Sequence, residues 1–120
     1  MTLDKAFLLL ALLGETQRQH LSRDQIIELM KEILDSGVNT GFNDFHEGYI
    51  RLHSDLIHRN LCDMANAGYF VGVGPMEFRE YKLTPFGESQ YDWVFRKAIE
   101  RQSPAFMAMA RRILKKHKLR

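Results

Sequence analysis

Arg59 and Asn60 are neighbouring side chains whose chemistry suits specific hydrogen bonding. A guanidinium group can bond a guanine edge through two N–H groups, a carboxamide can do the same for adenine, and either can hold a phosphate. His58 and Cys62 flank this pair and stand four residues apart, which would place them on one side of a helix in a chelating arrangement. Zinc sites normally need three or four ligands, and the chain has no C-x-x-C motif, so we predict no metal site here.

The segment that must position these side chains is predicted to be a helix that begins after Ser54 and ends at Gly68. Ile57, Leu61 and Met64 are spaced four and three residues apart, so they share one face of this helix. Ser54 can cap the N-terminus by accepting a backbone N–H, and Gly68 can adopt the left-handed conformation that ends a helix. The side chains then expected on the outer face are Asp55, His58, Arg59 and Cys62, with Asn60 at the flank.

A β-hairpin is predicted directly after this helix. Aromatic and β-branched residues at positions 69–71 favour a first strand, and the stretch Gly72–Pro75 supplies the permissive backbone of a tight reversal. A second strand follows through Tyr81 and ends at Thr84. Pro85 suits the first turn of a further helix, so a helix is expected after the hairpin.

This order of helix, strand, turn and strand resembles the core of winged helix-turn-helix DNA-binding domains. The run Ile57–Tyr69 is similar to the V-S-R-x-L…L…A-G-L/Y signature of small bacterial regulators of the MarR and PadR type. The run Tyr81–Gly87 is similar to their Y-x-L-T-x-x-G signature at the exit from the wing. The resemblance covers residues 22–90. It implies a mostly α, α+β fold with a small β-hairpin and an added C-terminal helix.

By this resemblance the chain is expected to be a sequence-specific transcriptional regulator that binds double-stranded DNA as a homodimer. The helix would enter the major groove, and the residues that the resemblance places on bases are His53, Ser54, His58, Arg59 and Asn60. The residues that it places on phosphates are Arg51, Arg79 and Lys82. The competing interpretations are a solvated helix face, which Asp55 and Asp63 favour because acids repel phosphate, and a purely structural hairpin.

Charge is distributed unevenly along the chain. Residues 1–100 contain 10 Lys and Arg against 15 Asp and Glu, whereas residues 101–120 contain 7 Lys and Arg and no acid. Because Ser103-Pro104 should break a helix, we divide the chain into a winged-helix domain, 1–102, and a basic C-terminal helix or arm, 103–120. Its apolar stripe from Phe106 to Leu114 needs burial, and we expect it to serve dimerisation. The basic residues then left for the DNA backbone are Arg111, Arg112, Lys115 and Lys116.

Earlier parts of the chain are predicted to be mainly helical. A first helix, apolar on nearly every side, runs through Leu13, and a polar loop is expected from Glu15 to Leu21. A second helix runs from Arg23 to Asp35, with Ser22 as its N-cap and an approximate capping box. The turn-rich stretch 36–49 is long for a connection between helices. Either its aromatic residues anchor a short extra helix, or it is a specialised loop.

Composition narrows the class of protein. A chain of 120 residues with 45% hydrophobic and 27% charged residues is typical of one soluble globular domain. No apolar run approaches about 20 residues, so we expect no membrane span. The single cysteine suits a reducing cytoplasm. Nucleophile, Walker, zinc-protease and dinucleotide motifs are missing from the sequence, so we expect no enzyme activity and no cofactor.

Two further interpretations stay open at this point. The first is a winged-helix module that binds a protein, as a phage or plasmid accessory protein would, through the aromatic loop 42–49 or the apolar tail. The second is a regulator with a small-molecule effector pocket between the first and last helices. The side chains that could line such a pocket are Phe7, Phe86, Trp93 and Phe95.

Overall fold

The computed structural model of the chain describes residues 3–16 and 19–120. Its first helix, α1 (Ala6–Gly14), is apolar on nearly every side, and Leu9, Leu10 and Leu12 are fully buried. A helix without a polar face is stable only when other elements surround it. Later elements of the chain do so, and α1 lies at the centre of the hydrophobic core.

A two-residue strand, β1 (Leu21–Ser22), leads into α2 (Arg23–Asp35). The predicted capping box is confirmed, because Ser22 Oγ accepts the Gln25 N–H and the Gln25 side chain accepts the Ser22 N–H. The strand itself lies at the end of the segment that we predicted as a polar loop, of which positions 17 and 18 fall outside the described residues. Two residues are too few to show a strand pattern in the sequence.

The long connection after α2 contains a second hairpin rather than an extra helix. Its strands, β2 (His46–Glu47) and β3 (Leu52–His53), pair antiparallel. Of the aromatic residues that we expected to anchor this connection, Phe42 is fully buried and does so. Tyr49, at the tip of this hairpin, is fully exposed. The alternative of a specialised loop is therefore the better description of this connection.

The helix and the hairpin predicted around the Gly68 stop are confirmed. They are α3 (Asp55–Asn66), β4 (Phe70–Val73) and β5 (Glu80–Leu83), with a short 3₁₀ turn, Met76–Phe78, between the strands. β5 is the central strand and pairs antiparallel with β4 on one side and β1 on the other. The sheet therefore joins the segment before α2 to the segment after α3.

Three helical segments follow the sheet as one nearly continuous run. They are α4 (Pro85–Gln90), a π-helical turn (Tyr91–Phe95) and α5 (Arg96–Gln102). The break at Ser103 and the helix after it are as predicted, and α6 (Pro104–Lys116) begins at the proline. The π turn was not predicted. It is a single wide turn inside an otherwise α-helical run, and the 3.6-residue spacing used to identify a helix does not reveal it.

The apolar stripe of α6 is covered within the chain. Phe106, Met107, Ala110, Ile113 and Leu114 are all buried, and α6 packs on α1, α2 and α5. The stripe that we expected to form a dimer contact therefore belongs to the same core as residues 1–102. The fold is α+β, mostly helical, with a small antiparallel sheet, as predicted for its class. Within the described ranges, no helix combines the length and hydrophobicity that a membrane crossing requires.

Candidate nucleic-acid interface

Asp44 and Ser54 fix the N-terminal end of α3. Ser54 Oγ accepts the Ile57 N–H at 3.2 Å and donates to Asp44 Oδ1 at 2.6 Å, while Asp44 Oδ2 accepts the Leu56 N–H at 2.9 Å. Burial alone would raise the pKa of Asp44, but the hydrogen bonds from Ser54 and Leu56 hold it below its ordinary value. Ser54 is only 3% exposed, so it caps the helix and does not face a DNA base.

Thr84 and Gly87 fix the other end of α3. Gly68 ends the helix with φ +91°, and Thr84 Oγ1 donates to its carbonyl oxygen at 2.5 Å. The same hydroxyl accepts the Gly87 N–H at 2.9 Å and so caps α4. A Cβ on Gly87 would lie 2.1 Å from the carbonyl oxygen of Tyr69. The L-T-x-x-G run therefore packs the start of α4 directly on the turn that ends α3.

His58 lies in the joint between α2 and α3, where it is half-buried. Its Nδ1 is 3.4 Å from Arg23 Nη1, and it must accept this hydrogen bond because a guanidinium only donates. Burial and the neighbouring Arg23 charge both lower the pKa of His58, so the ring is neutral at pH 7. Cys62 Sγ is 4.0 Å from His58 Nε2. Both side chains, which we expected to point outward, are half-buried and so only partly accessible to a ligand.

The exposed stripe of α3 consists of Asp55, Arg59, Asp63 and Asn66. These positions are spaced four, four and three residues apart, so they form one line along the helix. Arg59 is the only cation on the stripe, and it makes no hydrogen bond or ion pair with any described residue. Asn60 is half-buried at the edge, and its amide donates to the Leu56 carbonyl at 2.8 Å. Arg59, which we expected to contact a base, therefore has no partner among the described residues, and it lies between Asp55 and Asp63.

The β2–β3 hairpin lies against the first turn of α2. Arg51 Nη1 is 3.4 Å from Asp24 Oδ2, and its guanidinium carbon lies 5.3 Å from the centre of the Phe78 ring. His53 stacks on His46 with 5.4 Å between ring centres. Arg51 and His53, which we expected to contact DNA, therefore already have partners inside the chain. Beside them an open cleft of about 500 Å³ is lined by Arg23, Ile27, Tyr49, Ile50, Arg51 and His58.

The β4–β5 hairpin presents one free cation. Arg79 is half-buried, lies across Gly72, and donates from Nε to the Gly74 carbonyl at 3.3 Å. Lys82 is exposed on the outer face of the sheet, opposite Val71, and has no partner among the described residues. Of the two side chains that we expected on phosphate here, Lys82 is the one that is accessible without rearrangement.

Glu15 is a buried carboxylate that pairs with arginines from distant parts of the chain. Its side chain is 3% exposed, and it accepts hydrogen bonds from Tyr91 Oη at 2.5 Å and Arg111 Nε at 2.7 Å. Arg96 and Arg120 approach its oxygens to 3.5 Å. Burial alone would raise the pKa of Glu15, but the hydrogen bonds from Arg111 and Tyr91 outweigh it and hold the pKa below the ordinary 4.5.

The cations of α6 divide into two groups. Arg111 also binds Glu100 at 2.5 Å, and Lys116 binds Glu32 at 2.6 Å, so both hold α6 to the body of the fold. Arg112 and Lys115 are exposed and form no ion pair within the part of the chain described here. Of the basic residues that we expected to be free for DNA, Arg112 and Lys115 are accessible, whereas Arg111 and Lys116 are paired within the chain.

The accessible, unpaired members of the expected set are thus Arg59, Lys82, Arg112 and Lys115. Sequence reasoning missed Asp44, Arg23 and Glu15, which position α3 and α6. No local signal marks them, because each meets its partners through contacts between segments that are 10 to 96 positions apart. The sequence analysis also assigned base contacts to Ser54 and Asn60. Both side chains make hydrogen bonds to the backbone of α3, which makes them unavailable to a ligand.

The described residues bring together neither a group of three metal ligands nor an open space between the rings that we expected to line an effector pocket. Within them, no group of three or more His, Cys, Asp or Glu side chains is placed to hold a metal ion. The rings expected to line a pocket fill the space themselves, since Phe7 stacks on Phe95 at 4.4 Å and Phe86 lies 5.3 Å from Tyr69. Trp93 points away from them and is 84% exposed. A small cavity of about 160 Å³ lies beside Phe7.

Replacing Asp44 by alanine is expected to lower the free energy of unfolding by about 1–2 kcal/mol, because Ser54 Oγ and the Leu56 N–H both lose their acceptor. Urea unfolding monitored by circular dichroism measures this change. Asn43→Ala, at the exposed neighbouring position, is the control and should stay within about 0.5 kcal/mol of the parent. Equal stabilities of the two variants would show that Asp44 does not anchor α3.

Comparison with known proteins gives no match: no family model, curated protein or solved structure is similar to this chain.

Proposed function

We propose that this protein is a winged-helix regulator that binds double-stranded DNA through α3 and the β4–β5 hairpin. The observation that carries this proposal is that α3 is held firmly and exposes one side to solvent. Polar contacts hold it at both ends, its apolar face is buried, and one stripe faces solvent beside the hairpin that follows it. An exposed helix that precedes a β-hairpin is the arrangement that a winged helix uses to reach a groove.

The charges of this surface predict weak, shallowly salt-dependent binding. Each phosphate contact contributes about 0.9 to the slope of log K against log salt concentration. Arg59 and Lys82 are free near the hairpin, and Arg112 and Lys115 are free on α6. We therefore expect a slope of about −2 to −4, smaller than that of proteins that wrap DNA in a basic surface. Binding of fluorescent duplex DNA across a salt series measures it.

Two substitutions on the exposed stripe of α3 test the proposal in opposite directions. Arg59→Ala should weaken specific binding by about 1–3 kcal/mol, because it removes a base or phosphate contact. Asp63→Asn should tighten binding several-fold, because it removes an acid one helical turn away from Arg59 that would face phosphate. A gain in affinity cannot come from a damaged fold, so this second variant separates contact from stability.

Arg101→Ala is the matched control, since it removes the same charge from an exposed position on α5 that is outside the expected DNA-binding set. A loss confined to Arg59→Ala, together with the gain in Asp63→Asn, supports binding through α3. Equal losses in both arginine variants would assign the contact to general charge attraction. Unchanged binding in all three variants contradicts the proposal.

The exposed apolar side chains at the tip of the β2–β3 hairpin favour a second candidate function, the binding of a protein. Tyr49 is 102% exposed, Ile50 77% and Phe78 63%, and the first two line the cleft beside α3. Exposed apolar side chains beside a cleft are typical of protein-binding surfaces. This candidate takes the place of DNA binding if the full chain fails to bind genomic duplex DNA even at low salt.

A further inference from the structure

The open cleft of about 500 Å³ between the β2–β3 hairpin and the N-terminal end of α3 is lined by two groups that no described residue uses. Tyr49 is fully exposed, and within the described residues its ring stacks on no other ring and its hydroxyl makes no hydrogen bond. Asp55, in the first turn of α3, is exposed, and its carboxylate has no ion pair in the same part of the chain. The cleft therefore offers a ligand an aromatic face and a hydrogen-bond acceptor.

The walls of the cleft are held in place by contacts inside the chain. Arg23 Nη1 donates to His58 Nδ1 at 3.4 Å, which ties α2 to α3 on one side. On the other side, the Gly48 N–H donates to the Arg51 carbonyl at 2.7 Å and fixes the turn that carries Tyr49. A site with ordered walls loses little conformational entropy when a ligand binds.

A nucleobase matches both groups, because it has a flat face and an edge with hydrogen-bond donors. Tyrosine rings stack on unpaired bases, and carboxylates accept the exocyclic amine of cytosine. An apolar protein side chain in the cleft would cover the Asp55 carboxylate without giving it a donor, which is unfavourable. The cleft also adjoins the exposed stripe of α3, on which Arg59 follows Asp55 by one helical turn.

We propose that the cleft binds one unpaired nucleobase of a DNA strand, with Tyr49 stacking on its face and Asp55 accepting a hydrogen bond from its exocyclic amine. The inference rests on the proposed function for the source of the base, since the stripe of α3 would hold the duplex beside the cleft. It also gives a role to Asp55, an acid that would otherwise only repel phosphate. Thymine has no exocyclic amine, so an unpaired cytosine should bind more tightly than an unpaired thymine.

The test compares the binding of the full chain to three fluorescent duplexes of one sequence. One is fully paired, one carries a single-cytosine bulge and one carries a single-thymine bulge. A bulged base costs little to take out of the stack, so it is available to the cleft. We expect the cytosine bulge to bind about ten-fold or more tighter than the paired duplex, and about three-fold or more tighter than the thymine bulge.

Three variants assign these gains to the cleft. Tyr49→Ala should remove most of the advantage of both bulges, because it removes the stacking surface. Asp55→Ala should abolish the preference for cytosine over thymine and retain an advantage over the paired duplex. Trp93→Ala is the matched control, since it removes a ring that is 84% exposed outside the cleft, and it should change each affinity by less than about two-fold.

Deoxycytidine monophosphate, titrated into the chain alone and followed by NMR, distinguishes a base in DNA from a free nucleotide. Binding as tight as that of the bulged duplex overturns the DNA strand as the source of the base. Duplex binding that depends on Arg59 but gains nothing from a bulge overturns the nucleobase site and leaves the proposed function intact. Binding of neither DNA nor nucleotide overturns both, and it assigns the cleft to the protein-binding alternative.

Discussion

Replacing Gly87 by alanine is expected to lower the free energy of unfolding by about 3 kcal/mol, although the change adds only one methyl group. The new Cβ would lie 2.1 Å from the carbonyl oxygen of Tyr69, and backbone cannot move aside as a flexible side chain can. The first turn of α4 must shift away from the turn after α3. That shift would stretch the hydrogen bonds from Thr84 to Gly68 and Tyr69.

Ser89→Ala is the matched control for Gly87→Ala, because it lies in the same helix at an exposed position and should change stability by less than about 0.5 kcal/mol. Urea unfolding of both variants makes the comparison. Hydrogen exchange at the C-terminal end of α3 should also be faster in Gly87→Ala. If the Gly87 variant is as stable as the Ser89 variant, α4 does not pack on the Tyr69 carbonyl as closely as described.

Replacing Glu15 by glutamine is expected to lower the free energy of unfolding by about 2–3 kcal/mol. Removing one partner of a buried ion pair usually costs about 3–5 kcal/mol, and we expect less here because the arginines around Glu15 are each about one-third exposed or more. Glu100→Gln removes a charge from the same network at a carboxylate that is 39% exposed, and it should cost less than about 1 kcal/mol.

The same carboxylate predicts how stability depends on pH. The pKa of Glu15 is lower in the folded chain than the ordinary 4.5, so its ion pairs stabilise the fold fully above that value. Their contribution is lost as pH falls through the folded-state pKa. Thermal unfolding measured downward from pH 6 should therefore show a smaller acid-dependent loss in Glu15→Gln than in the parent. Parallel curves for the two proteins would contradict this assignment.

Local chemistry made much of the fold predictable. Ser22 and Ser54 cap their helices, Gly68 ends α3, and Pro104 starts α6, because each of these effects acts within one turn of the chain. The apolar spacing on α3 likewise identified its buried face correctly. These features need no information about distant segments.

The candidate site was less predictable, because its availability depends on tertiary contacts. Helical spacing placed His58 outside, but Arg23 from another helix covers it. Asn60 was expected to face a base, but it bonds its own helix. Glu15 belongs to a polar stretch that indicates a loop, and only partners 76 and 96 positions later make it a buried charge. The spacing of residues in the sequence identifies which side chains share a face of a helix. Which of those side chains are exposed depends on how all segments of the chain pack together.

The pairing of Glu15 with Arg111 has a consequence for synthesis of the chain. Ribosomes add residues at about 5–20 per second, so α1 waits on the order of 5–20 s before α6 can cover it. During that time the apolar helix α1 is exposed, and the Glu15 carboxylate at its end lacks its arginine partner on α6. Chaperones that bind short apolar helices would therefore meet this chain early, and native packing is completed only when its last helix arrives.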